Sequence, residues 1–505
     1  MQFRQIQAIL HSWFGIIVLW SVFLIFFTGS IAYFRTEINL WSKPENFVYL
    51  KAPPNSFESA QVAYEYLNTH ALESKRWRVK LANSRMPFNI LEWQDQSNKH
   101  QKLQDPYTGL IITKGRESLG GDFFFKLHYS LYPLPDVLGR TLVVIIGVLF
   151  LIALITGILT HKKIIKDFFV FRSFKGQRSL LDLHNITGVI TLPFYLVMAF
   201  TGIMIFFYLL LPWGVNQQYG ENGIKTFYSE IQYKNLPKPV TDSDIQLKQF
   251  SVFSDQLPQL GTNGAPLEQF EVRNPNTEQA LITFNYGYKK LITFNNPQFI
   301  FSANTGKNLN FEKNLHPIAQ VGSATYGIHL GYYANQWMRW ILASMGFVGC
   351  IMLVAGALLW QKKRIKKQLK LSYRVVGYLN YFTFLGLPFA TAMYFLANRI
   401  LVADLEHRIK YELFIFFFSW IASISIPMLV KMQKAIFLTF IFTAIVLLIT
   451  VFSSIVLLPQ ASIFNTIQLQ QWSVAGVDLS LSFIALGYIF ACYYFRKNNM
   501  SEVAK

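Results

Sequence analysis

Apolar residues fall along this chain in blocks. Long apolar runs alternate with two polar stretches, residues 37–125 and 213–325, and the last quarter is apolar almost throughout. Each block reaches about 20 residues, enough for an α-helix to cross a bilayer core of roughly 30 Å. The pattern predicts spans at 1–36, 126–162 (interrupted by Pro133 and Pro135), 180–212 and 326–361, with four more in a bundle over 375–496. In the first polar stretch the period changes. SFESAQVAYEYLNTHA (56–71) repeats as a helix does, whereas WRVKLAN, PFNILEWQ and KLQDPYTGLIIT alternate as strands do. The second polar stretch begins irregularly, punctuated by Pro237, Pro239, Pro258 and Gly264. It then alternates from EQFEVRN through ALITFNY and KKLITFN to QFIFSANTGK. The expected fold is a polytopic α-helical membrane protein of eight spans, with a small α+β domain in each polar stretch.

Composition sharpens this. Only 14% of residues are charged, against about a quarter in soluble proteins, so a membrane setting is expected. The net charge of +19 would suit a nucleic-acid partner, but its location argues against one. Lys162, Lys163, Lys166, Arg172, Lys175 and Arg178 crowd the loop at 163–179. Lys362, Lys363, Arg364, Lys366, Lys367, Lys370 and Arg374 crowd the loop at 362–374. Such clusters mark cytoplasmic loops. They place both termini in the cytoplasm and both polar stretches on the opposite side. The N-terminal apolar run is too long for a signal-peptide core and reads as a retained first span. Cys350 and Cys492 each lie in an apolar run and offer neither a disulfide framework nor a thiolate metal site.

The first two-thirds of the chain is a repeat. Aligning His11 with His184 sets Gly15 opposite Gly188, Thr28 opposite Thr201 and Gly29 opposite Gly202. With one two-residue deletion, His128, Gly147 and Thr156-Gly157 match His329, Gly346 and Ala355-Gly356. Residues 1–162 and 163–363 each read as span, polar domain, span, entering the membrane in the same direction. That implies a pseudo-twofold axis along the membrane normal. His11 and His184 then lie near the inner face, and His128 and His329 near the outer. Imidazoles related by an axis can ligate one metal from opposite sides, as haem iron accepts. Gly15 and Gly188, one helical turn beyond their histidines, leave room for a porphyrin. Two b-type haems are expected, one held by His11 and His184 and one by His128 and His329. Zinc fits less well because neither pair has a third Asp, Glu or Cys ligand. Arg140 and Arg339 follow their histidines and are candidate partners for haem propionates. A straight helix from His329 to Trp360 would run roughly 46 Å, a long way for electrons to travel between the two sites.

The Arg…His…Gly…Thr-Gly span, the Asp105-Pro106-Tyr107-Thr108-Gly109 turn and the histidines opening the second and fourth spans resemble those of PepSY-associated transmembrane proteins. The resemblance covers about residues 1–363. It implies PepSY-like polar domains, a bacterial inner membrane and a link to iron uptake. Some members are similar to periplasmic ferric-siderophore reductases, which implies His11, His184, His128 and His329 as axial haem ligands. Asn304-Thr305-Gly306 lacks the Asp-Pro-Tyr of the turn, so the second polar domain reads as a degenerate copy. No nicotinamide or flavin domain is fused, so the electron donor would be a separate cytoplasmic reductase or a membrane quinol. Tyr107, Tyr129, Tyr332 and Tyr333 are candidate contacts for a ferric chelate, or members of an aromatic belt. The alternative reading is a transporter or periplasmic partner-binding protein without haem.

Overall fold

The structure, a computed structural model, describes residues 3–49, 54–95, 98–112, 115–160, 172, 176–231, 245–257, 266–287, 292–293, 298–309, 316–365 and 370–503. Most of the 163–179 loop, Lys162 and His161, Lys366 and Lys367, and Pro237, Pro239, Pro258 and Gly264 lie outside these residues. Helices named below are α1 (Phe3–Ala32), α2 (Arg35–Trp41), α3 (Ser56–His70), α4 (Gly121–Ser130), α5 (Asp136–Thr160), α6 (Gln177–Ile190), α7 (Leu192–Phe206) and α8 (Pro212–Tyr219). They continue as α9 (Gly223–Ile231), α10 (Ser251–Ser254), α11 (Pro317–Leu330), α12 (Gln336–Ile365), α13 (Leu387–Ile400), α14 (Arg408–Ser423) and α15 (Trp472–Val503). The chain separates into two compact units. One comprises Met1–Glu45, Arg116–Phe206 and Asn335–Lys505; the other comprises Asn46–Gly115 and Phe207–Ala334.

Among the described residues, eight helical segments are long and apolar enough to cross a membrane: Phe3–Ala32, Asp136–Thr160, Leu192–Leu209, Gln336–Lys363, Arg374–Ile400, Arg408–Leu429, Met432–Leu457 and Trp472–Arg496. The chain is a multi-pass membrane protein. Three of the apolar runs are broken, the first at the expected interruption by Pro133 and Pro135 and the other two where a single span was expected. The run at 126–162 divides between α4 and α5. Leu131 takes a left-handed conformation (φ 48°), and Pro133 and Pro135 supply no amide donors to continue a helix. Close approach then demands glycine, because a Cβ at Gly139 would fall 1.7 Å from the Ser130 carbonyl oxygen. The run at 180–212 divides at Thr191, with Pro193 in the first turn of α7. The run at 326–361 divides between α11, closed by left-handed Gly331 (φ 64°), and α12. His128 and His329 therefore end short helices rather than open long ones, and the straight 46 Å path does not exist.

Inside the helical unit, α1 packs along α5, α12 and α4, while α6 packs along α12. The C-terminal helices join this core through buried polar groups. The Trp41 indole donates to Asp478 (2.8 Å), Ser118 donates to Glu412 (2.8 Å), and Arg399 donates to the Trp41 carbonyl (3.0 Å) while its guanidinium stacks on the Trp41 ring. Arg408 pairs with Glu412, and both are fully buried. Carboxylates and guanidiniums buried this deeply persist only when matched. Here Arg116, Arg399 and Arg408 balance the buried Glu412 and Asp478 and the partly exposed Glu45.

In the second unit, both polar stretches contribute to one seven-stranded antiparallel sheet. Its strands are β1 (Arg76–Lys80), β2 (Asn89–Gln94), β3 (Lys99–Gln104), β4 (Ile111–Ile112), β5 (Leu267–Arg273), β6 (Leu281–Tyr286) and β7 (Gln298–Ser302), in the order β4-β3-β2-β1-β5-β6-β7. The sequence reading of two small domains becomes two halves joined edge to edge, β1 against β5 with Arg78 opposite Glu271. The pairing removes an exposed edge from each half. Alternate residues Trp77, Val79, Phe270 and Val272 point into the core that α3 and α10 cover. KKLITFN, expected as a strand, lies mostly outside the described residues. The stretch read as irregular contains α8 and α9, which enclose a small apolar cluster with α11 around Phe227 and Ile231.

The DPYTG motif is the hairpin turn after β3. Asp105 Oδ1 accepts from the amides of Tyr107 and Thr108, and Gly109 takes φ +74°. Its counterpart after β7 has the same form, with Ser302 in place of Asp105 and Gly306 at φ +75°. Gln104 bonds the Gly109 carbonyl and Gln256 bonds that of Gly306. Val62 of α3 and Val252 of α10 pack on the respective glycines. The second copy has lost the Asp-Pro-Tyr of the motif and kept its Thr-Gly and its geometry.

Candidate functional site

His11 and His184 face each other in the helical unit, with ring centroids 6.1 Å apart and planes inclined by 57°. Each ring is held from behind. His11 Nδ1 lies 2.8 Å from the Ala153 carbonyl oxygen, and His184 Nδ1 lies 2.9 Å from that of Met352. A carbonyl can only accept, so Nδ1 carries the proton in both rings and Nε2 is the unprotonated nitrogen of the neutral tautomer. That is how metal-ligating histidines are usually prepared.

One rule seats three of the four histidines. In an α-helix the carbonyl of residue i is masked by the turn that ends at residue i+4. Each accepting carbonyl here has glycine at that position: Ala153 with Gly157, Met352 with Gly356 and Ile25 with Gly29. A Cβ on Gly157 would stand 3.1 Å from the His11 ring, one on Gly356 3.1 Å from the His184 ring, and one on Gly29 2.7 Å from the His128 ring. His128 Nδ1 correspondingly lies 2.8 Å from the Ile25 carbonyl oxygen. The glycines of Thr28-Gly29, Thr156-Gly157 and Ala355-Gly356 are therefore histidine seats, a role that sequence reasoning did not assign to them. The signal was visible as glycines recurring at matched positions on the partner helices.

Between His11 and His184 lies a cavity of about 310 Å³ lined mainly by apolar side chains, including Leu19, Phe150, Leu154 and Leu353. Gly15 and Gly188 both line it. A Cβ at Gly15 would meet nothing within 4 Å, and one at Gly188 only Met352 Sδ at 3.4 Å. Lys363 and Trp360 lie on its wall as well. Among the described residues no group of three or more His, Cys, Asp or Glu side chains stands together. The pair can thus supply two opposed nitrogen ligands, leaving any others to come from the metal's own macrocycle.

His128 belongs to the same unit. Its acceptor Ile25 lies fourteen residues beyond His11 on α1, roughly 21 Å along the helix axis. Phe26 fills part of this interval, against Phe150 (5.3 Å between centroids) and the buried Tyr195 (5.6 Å). His329 falls in the second unit, near the end of α11. The two arginines differ. Arg140 pairs with Asp136 (3.1 Å) and lies over Tyr129 and Phe206, whereas Arg339 is almost buried and pairs with Glu37 (2.8 Å). Tyr129 belongs to the helical unit; Tyr107, Tyr332 and Tyr333 belong to the other and are exposed. His316 caps α11, His100 pairs with Asp95, and His70 stacks on Tyr66.

Fold and site together define a multi-pass membrane protein whose repeat sets matched histidines on α1, α4, α6 and α11. The chain belongs to the PepSY-associated TM region family, whose profile matches residues 8–363. A protein of Pseudomonas aeruginosa described as uncharacterized is 36% identical over 84 residues, 16% of this chain and 21% of that protein. The match thus spans about a fifth of that relative's length.

Proposed function

We propose that this chain is a haem-dependent reductase of a bacterial inner membrane. In this reading it moves electrons from the cytoplasmic side, or from the quinol pool, to a ferric siderophore in the periplasm and releases Fe(II). The observation that carries it is the His11–His184 pair. Two imidazoles on opposite sides of one metal, at metal–nitrogen distances of about 2.0 Å, place their ring centroids roughly 6.3 Å apart. The observed 6.1 Å fits that span. The Nδ1–H donors, the apolar cavity and the missing side chains at Gly15 and Gly188 would suit a flat, apolar prosthetic group between the helices.

His11 and His184 would hold an inner b-type haem, and His128 and His329 an outer one. The second pairing rests on the repeat. A bound haem supplies one-electron chemistry, and its potential is set by axial ligands and their hydrogen bonds. The chain's own part is to fix the imidazole tautomers, exclude water from the cavity with Leu19, Phe150, Leu154 and Leu353, and fill the interval to His128 with Phe26 and Tyr195. No residue is needed as acid or base. The basic loops at 163–179 and 362–374 put both termini in the cytoplasm. The joined halves of the sheet then read as a tandem of PepSY-like α+β units in the periplasm. The donor is a separate reductase or quinol.

The test is the absorption spectrum of the purified protein, oxidised and then reduced with dithionite. Two haems per chain are expected, with one lost in His184→Ala and one in His329→Ala. A colourless wild type, produced with ample haem, overturns the proposal and leaves the transporter or partner-binding reading.

A further inference from the structure

The seats of His11 and His184 share a carbonyl acceptor and a glycine four residues on, and differ at the residue before that glycine. Ala153 O, which accepts from His11 Nδ1 at 2.8 Å, also lies 3.0 Å from the Thr156 hydroxyl. That hydroxyl has a single proton, which it shares with the Ile152 carbonyl at 2.8 Å, so its bond to Ala153 O is the longer arm of a bifurcated pair. Thr156 is buried, so water does not compete for either contact. In the seat of His184 the equivalent position is Ala355, which has no hydroxyl to place on Met352 O. The same arrangement recurs weakly behind His128, where Thr28 Oγ1 is 3.4 Å from Ile25 O.

We infer that Thr156 is a positioning residue that weakens His11 as an electron donor relative to His184, and so raises the reduction potential of the inner haem. The inference rests on the haem reading above. A hydrogen bond from Nδ1–H to a carbonyl pushes electron density through the ring toward Nε2 and makes it a stronger ligand. A second donor on the same oxygen draws off part of that oxygen's density, so the imidazole bond weakens and Nε2 gives less to the metal. Losing donation costs oxidised iron more than reduced iron, which would raise the potential. Two imidazoles of different strength on one iron would come from one hydroxyl, present in the first half of the repeat and missing from the second.

The experiment is an optical redox titration of the haem-loaded full-length protein, with the inner wave identified as the one lost in His184→Ala. Thr156→Ala should lower the inner potential, and Ala355→Ser, which adds the missing hydroxyl, should raise it. Thr156→Ser keeps the hydroxyl and should leave the potential at the wild-type value. The outer wave should stay put in all three. An inner potential unmoved in both Thr156→Ala and Ala355→Ser, with haem still bound, overturns the inference while leaving the proposed function standing. Shifts of the same sign in both would mean a packing effect and also overturn it. A wild type that binds no haem sinks both readings together.

Discussion

The first half of the repeat places His11 on Ala153 O and closes that seat with Thr156-Gly157; the second places His184 on Met352 O and closes it with Ala355-Gly356. The first half turns from β3 through Asp105-Pro106, and the second turns from β7 through Ser302-Ala303 to a glycine of the same φ. The first half also bears the C-terminal helices on Trp41, Arg116 and Ser118. Between the halves, what persists is backbone access: a carbonyl with glycine four residues later, and a glycine in the left-handed region. What drifts is the polar decoration around it. A position that must lack a Cβ has one solution, whereas a side chain that donates one more hydrogen bond can be lost or gained at modest cost.

Filling the glycine seats tests that view most severely. Gly157→Leu and Gly356→Leu should each drive a ring off its carbonyl and weaken haem binding about ten- to hundredfold, as loss of a histidine's supporting partner usually does. The two variants should behave alike, because both built Cβ atoms stand 3.1 Å from a ring. Gly29→Leu should damage the His128 site at least as much, its Cβ falling at 2.7 Å. Haem stoichiometry by pyridine haemochrome reads all three. Full occupancy in Gly356→Leu would show that the rings do not depend on these seats.

Much of this was legible in the sequence, and the reasons for the rest are specific. Eight spans follow from apolar run length, because a bilayer fixes the length of a helix. The strands of both polar stretches follow from alternation. The break after Ser130 was legible in Pro133 and Pro135; the break after Leu330 was signalled only by Gly331, and there run length outweighed it in the reading. Pairing of β1 with β5 was not legible. Arg76 and Arg273 lie about two hundred residues apart, and alternation says which face a residue takes without saying which edge a strand finds. The four histidines stood out through repetition. The seats behind them did not, because their partners are backbone carbonyls, which carry no letter in a sequence.

The two turns give a milder comparison. Gly109→Ala and Gly306→Ala should each cost about 1–2 kcal/mol, the penalty for a side chain in the left-handed region. The second should cost more. A Cβ at Gly306 would stand 2.5 Å from Val252 Cγ1, against 3.0 Å from Val62 Cγ1 at Gly109. Hydrogen exchange of β3 and β7 in the full-length protein measures each locally. A neutral Gly306→Ala would mean that the second turn has relaxed along with its sequence.

The smallest effect concerns an ion pair of the first half. Glu45 lies outside the spans, 2.7 Å from the buried guanidinium of Arg116, which in turn donates to the Asn398 carbonyl. Burial works to raise the pKa of Glu45, but the hydrogen bonds and charge of Arg116 outweigh it and hold the carboxyl below its ordinary value. A carboxyl depressed by folding stabilises the fold above its unfolded pKa, and that contribution disappears as pH falls through the depressed one. Wild type should therefore melt above Glu45→Gln at neutral pH by an amount worth on the order of 1 kcal/mol, the pair being partly exposed on the carboxylate side. The gap should narrow as pH drops below the ordinary glutamate range and close in stronger acid. Thermal melts in detergent across that range decide the matter. A gap that widens on acidification would mean that Glu45 is held neutral, and that Arg116 is balanced by Glu412 and Asp478 rather than by its nearest carboxylate.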